Sequence, residues 1–323
     1  MNDRRGTTPG LGHPSIDDDE FARSRAMLRR LELEVNRRLD GILHGNHRGL
    51  VPGHGSDPGE ARPYQPGDDV RRIDWNVTAR TDTMHVRDTI AERELETWLC
   101  VDRSASLMFG TADREKADVL LAAAAGVGFL TARGGNRIGG VIASTDGCAV
   151  IPARQGRTHL LALLATIDAA SGRQGASHLA LGETVERTNA VARRRGLVVV
   201  LSDFLEEPDA WRRSLAGLVA RHHVVCIEIV DPRELELSDS GVLTLIDTET
   251  GRTREINTGS RKIRERYSAA AAEQRSAIAT AIRSSGAEHI QLRTDRDWLL
   301  DLARFVSTRR RLQANVGIGG RPS

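Results

Sequence analysis

The sequence predicts an α/β fold: a doubly wound, mostly parallel sheet, with a small N-terminal helix-plus-extended module and a hairpin insertion. Three observations predict it. From Glu96 onward, apolar runs alternate with helical patterns, as consecutive βα units do. The runs at 98–101, "GLVVVLSD" and "HVVCIEIV" lack polar alternation, the mark of strands covered on both faces. Between 233 and 257 the alternation gives way to "GVLTLIDTETGRTREIN", which reads as a hairpin turning at Thr250-Gly251.

The elements follow in order. Residues 1–15 are polar and rich in Gly and Pro, a composition that predicts a disordered tail. Phe21, Leu28, Leu31, Val35 and Leu39 recur at helical steps within a charged helix over 17–43, which Ser15 or Asp17 can cap. A loop punctuated by Gly and Pro leads to a short extended segment at 83–90. Within the sheet domain, strands are expected at 98–101, 137–143, 148–152, "GLVVVLSD", "HVVCIEIV" and "HIQLRT". Helices are expected near 113–132, 157–168, 178–195, 208–220, 258–285 and 295–309. The domains are then a tail (1–15), an N-terminal module (16–95), an α/β domain (96–310) and a flexible C-terminal tail (311–323).

Composition narrows the function. The 46 basic and 44 acidic residues nearly balance, and aromatics make up 3%, so neither charge nor stacking surface points to nucleic acid. The longest apolar stretch, 119–132, is broken by Gly126 and Gly128 and is too short to span a bilayer. The first residues hold arginines without an apolar segment behind them, unlike a secretory signal. Cys100, Cys148 and Cys226 each sit inside a predicted strand, without zinc spacing. A cytoplasmic protein is expected, peripheral to a membrane only through a partner.

The chemistry concentrates at strand ends. "CVDRSAS" places Asp102, Ser104 and Ser106 at alternate positions after one strand, and "LSDF" ends another at Asp203. In a doubly wound sheet, such ends meet at the point where strand order reverses. Carboxylates and hydroxyls without nitrogen or sulfur suit a hard cation: Mg2+ first, with Mn2+ or Ca2+ as the alternatives. No G-x-S-x-G elbow surrounds the serines, and no Walker motif is present. A metal-dependent hydrolase with Asp102 and Asp203 as ligands is the alternative to a binding role. His44, His47 and His54 are irregularly spaced in a Gly-rich loop and read as solvated.

"VDRSASLMFG" resembles the D-x-S-x-S element of the von Willebrand factor A (VWA) domain, a Rossmann-like fold with a metal-ion-dependent adhesion site (MIDAS). The resemblance implies Asp203 as a further ligand and a middle-loop ligand at Ser177, in "GASHLALGETV", where the family carries threonine; Thr158 ranks second. A longer stretch, "ARPYQPGDDVRRIDWNVTARTDTMHVRD", is similar to the signature of the DUF58 family. It carries Arg62, Tyr64, Gly67, Asp68, Arg71, Ile73, Asp74, Trp75, Ala79 and Arg80. By their residue types these form either an ion-paired brace between module and domain, with Trp75 as apolar anchor, or a partner surface. The resemblance implies a non-enzymatic adaptor or assembly factor. Its partners would be a MoxR-type AAA+ ATPase and a protein client bearing an acidic residue.

Overall fold

The computed structural model describes residues 28–29, 31–35, 37–38, 61–65, 70, 73–81, 83–87, 96–112, 114–133, 135–145, 147–170, 179–246 and 253–318. The expected tail 1–15, the three loop histidines, Gly67, Asp68, Arg71, Ser177 and the turn at Thr250-Gly251 lie outside the described residues.

The six-stranded sheet has the order β10-β7-β6-β3-β4-β5. Its strands are β3 (Glu96–Arg103), β4 (Arg137–Ser144), β5 (Gly147–Arg154), β6 (Leu197–Ser202), β7 (His223–Val230) and β10 (Glu288–Arg293). All neighbours are parallel except β4 and β5, so one edge is antiparallel, within the expected mostly parallel class. Every residue of β3 is buried, because a central strand is covered on both faces. Leu99 and Val101 point into one apolar cluster, Trp98 and Cys100 into the other, as the two-residue pleat requires.

Helices α2 (Lys116–Arg133), α3 (Arg157–Ala169) and α7 (Trp298–Ile318) cover the first face. Helices α4 (Leu181–Val191), α5 (Pro208–Val219) and α6 (Arg261–Ser284) cover the second. Helix α2 is apolar nearly all round because it is packed by sheet and neighbouring helices together. A Cβ on Gly128 would lie 2.4 Å from Leu160 Cδ1, and one on Gly126 2.9 Å from Leu302 Cδ2. Those two glycines let α3 and α7 approach closely. The insertion is an antiparallel pair, β8 (Val242–Ile246) with β9 (Thr253–Asn257), as expected. Helix α7 runs to Ile318, past the bound set at 310, because no proline or glycine intervenes before Gly317.

The N-terminal helix is docked on the domain. Helical residues between 28 and 38 place Leu28 and Val35 in the first core cluster. Glu32 pairs with Arg157, and Arg38 with Asp297, at the starts of α3 and α7. Val35→Ala should therefore cost about 2 kcal/mol, from two lost carbons and the cavity they leave. A urea melt checks it; an unchanged midpoint would mean that the helix is not docked.

In the signature segment, β1 (Ala61–Pro63) pairs antiparallel with β2 (His85–Arg87), and α1 (Trp75–Thr81) lies between them in sequence. The Arg62 backbone pairs with Val86, and Tyr64 N donates to Met84 O. Asp74 caps α1, accepting from Asn76 N at 3.1 Å and Val77 N at 3.3 Å. Arg80 Nε bonds only one turn back, to Asn76 O. Trp75 corrects the expectation of an apolar anchor: it is 69% exposed. Helix α1 buries no residue, so its first position has no core to enter.

Candidate metal centre

Strand β3 is the first of the sheet. The chain passes from it to β4 and β5 on one side, then returns to β6 on the other. The switch point therefore lies between β3 and β6, which are in register at Val101↔Leu201. Asp102 and Asp203 leave the sheet there, at one edge, as the two aspartate-ending strands predicted.

The loop after β3 folds back on the aspartate that precedes it. Ser104 N donates to Asp102 Oδ1 at 2.8 Å, the Asx turn expected of Asp at a strand exit. A short 3-10 turn, Ala105–Met108, then brings the Ser104 and Ser106 hydroxyls to 3.0 Å from each other. The Ser106 hydroxyl also helps to hold the Asp203 carboxyl below its ordinary value. From β6, the Ser202 hydroxyl donates to Asp102 Oδ2 at 2.7 Å. All of these side chains are buried. Phe204, directly after Asp203, has φ 54°, a left-handed conformation that costs a non-glycine residue about 1–3 kcal/mol. Its N–H on Ser202 Oγ and its ring set edge-on to Trp211, 5.3 Å between centroids, hold it there. This turn drops Asp203 at the end of β6, facing the β3 loop.

The two carboxylates differ in charge environment. Burial, and then the neighbouring Asp203 charge, push the Asp102 carboxyl up to about 6. Burial would raise Asp203 too, but the Lys116 ammonium outweighs it and holds that carboxyl below its ordinary value. Lys116 has no exposed surface and donates to Asp203 Oδ2 at 2.8 Å and Glu234 Oε1 at 2.5 Å. Arg275 closes the far side, donating to Glu234 Oε2, Glu228 Oε1 and the Asp203 carbonyl.

Four of the five expected ligands, Asp102, Ser104, Ser106 and Asp203, thus meet in one crevice. Ser177 lies outside the described residues. Thr158 does not qualify. It opens α3 beside His159, whose ring contacts Ile138 O at the start of β4, the opposite edge of the sheet. Among the described residues, no three His, Cys, Asp or Glu side chains group to hold a metal, so a cation here would rest on two carboxylates and hydroxyls. That set fits a hard cation: Asp102 is a buried carboxylate beside two hydroxyls, and among the described residues no ion pair offsets its charge.

Sequence reasoning missed Ser202, Lys116, Glu234 and Arg275. One signal was present: of 46 basic residues only Lys116 and Lys262 are lysines, so a lysine is the unusual choice in this chain.

Comparison with known proteins places this geometry in a family. Residues 60–277 match the family described as "Protein of unknown function DUF58". The chain belongs to the DUF58 family. Uncharacterized proteins of Mycobacterium bovis and Mycobacterium tuberculosis are 49% identical to this DUF58 chain over 309 residues, covering 94% of it and 96% of theirs. Similar solved structures include the conserved hypothetical protein BatB from Bacteroides thetaiotaomicron, at 11% identity and TM-score 0.40, covering 67% of this chain and 99% of that one. The SpRpn10 VWA domain, at 14% identity and TM-score 0.40, covers 65% and 94%. No helix among the described residues of the DUF58 chain is long and apolar enough to cross a membrane.

Proposed function

We propose that this DUF58 protein is a non-enzymatic adaptor that binds an acidic residue of a protein partner through a divalent cation. Asp102, Ser104, Ser106 and Asp203 would hold the ion, with Ser177 as the further ligand that the VWA resemblance implies. When bound, Mg2+ supplies a Lewis-acidic position that a partner carboxylate can fill. The observation that carries this reading is the buried Asp102 carboxylate beside two hydroxyls at the switch point, with no ion pair to it among the described residues.

The chain's own residues define the rest of the docking edge. Met108 and Phe109, 40% and 38% exposed, follow Ser106 on the same loop and give an apolar rim for a partner. The serines hydrogen-bond to each other, which is not the pairing of an activated nucleophile with a base, so the hydrolase alternative gains no support from them. The partner proposed is the MoxR-type AAA+ ATPase that the DUF58 resemblance implies.

Immobilised full-length protein, wild type and Asp102→Ala, is to be incubated with a purified MoxR-type ATPase in Mg2+ or in EDTA. The expected result is retention by wild type in Mg2+ alone. Equal retention in all four conditions contradicts a metal-bridged contact.

A further inference from the structure

Lys116 is the cation already built into the crevice. Its side chain leaves the first turn of α2 with no solvent exposure and ends between Asp203 Oδ2 and Glu234 Oε1. The Asp203 carboxylate that it takes ends β6 beside β3, whose exit loop carries Asp102, Ser104 and Ser106. Glu234 is itself fixed on the far side: Arg275 Nη2 and Asp231 N both donate to its Oε2. Asp231 is pinned in turn by Thr111 and Thr294. The ammonium therefore has a rigid anchor away from the crevice and a shared carboxylate within it.

The residue type is informative. A guanidinium is a broad planar fork, whereas an ammonium is a compact point charge, closer in shape to a bare ion. In a chain that uses arginine for nearly all its positive charge, lysine stands at the position beside Asp203. With Lys116 in place, the two aspartates and the ammonium sum to one negative charge rather than two.

Resting on the metal reading above, we infer that Lys116 sets the affinity of the crevice, as a tethered cation that a divalent ion must share Asp203 with. Removing its charge leaves both carboxylates to the incoming ion and tightens binding. A lysine that served only to brace the fold would change stability and leave metal affinity where it was.

The test is calorimetric titration of Mn2+ into metal-stripped full-length protein: wild type, Lys116→Met, Lys116→Gln and Asp102→Asn. The expected result is one site in wild type, at least about tenfold tighter binding in both Lys116 variants, and none in Asp102→Asn. Equal or weaker binding by the Lys116 variants overturns the inference and leaves the metal reading standing. Absence of Mn2+ binding in every form overturns the metal reading and the inference with it. Should the Lys116 variants unfold when stripped, thermal melts against Mn2+ replace the titration. Recovery of the fold at Mn2+ concentrations below those that wild type needs for binding supports the inference. Failure to fold at any Mn2+ concentration overturns it.

Discussion

Arg275→Met is expected to destabilise the folded chain by about 3–5 kcal/mol, the range for removing one partner of a buried ion pair. Arg275 reaches from α6 to three acceptors: Glu228 on β7, Glu234 after it, and the Asp203 carbonyl after β6. The Glu228 side chain is 1% exposed, so losing the guanidinium strands a carboxylate that water cannot reach. His289 and Gln291 still bond its second oxygen but leave Oε1 without the charge that faces it. Methionine fills much of the volume, so the loss is electrostatic rather than a cavity. Urea unfolding of the single variant and of Arg275→Met with Glu228→Gln separates the causes. The double variant should recover a substantial part of the loss, because it removes the stranded charge as well. A single variant within about 0.5 kcal/mol of wild type would mean that the network does not brace the site.

The second large effect concerns Asp102. In wild type, Mg2+ at a hundred times its dissociation constant should add about 2.7 kcal/mol, a rise of several degrees in Tm. Asp102→Asn should abolish that rise. Its metal-free behaviour carries the sign of the charge. The folded carboxyl sits at about 6, above its ordinary 3.8, so without a cation its ionised form costs stability as pH rises through that window. At pH 7 that cost is fully present, and asparagine removes it. The Ser202 hydroxyl can turn to accept from the new amide. Differential scanning calorimetry in EDTA and in Mg2+ should therefore find the variant no less stable than wild type without metal, and unresponsive with it. A variant that still gains Tm in Mg2+ places the ion elsewhere.

Much of this was legible in the sequence. Strands packed on both faces must be apolar at consecutive positions, so β3, β6 and β7 announced themselves. Aspartates ending two such strands announced the crevice, because parallel strands deliver their C-terminal ends to one edge. Side-chain contacts between distant elements were not legible. Lys116 opens a helix in "DREKADV", where a lysine ordinarily faces water; only the fold shows that this turn lies over the ends of β3 and β6. Glu234 meets it from 118 residues further along the chain, and Arg275 meets Glu234 from 41 residues beyond that. The left-handed turn at Phe204 was equally hidden, since its residue type argues against that conformation. Trp75 failed in the opposite sense. An aromatic residue suggested burial, but a seven-residue helix without a buried face gave it nowhere to go.

A crystal of the full-length protein grown with Mn2+ decides whether a divalent ion sits among Asp102, Ser104, Ser106 and Asp203. An anomalous difference peak is expected at the end of β3, about 2.2 Å from the Ser104 and Ser106 hydroxyls and from at least one of the two carboxylates. No peak in Mn2+, with Lys116 still paired to Asp203 and the two serines to each other, would mean that no ion binds there.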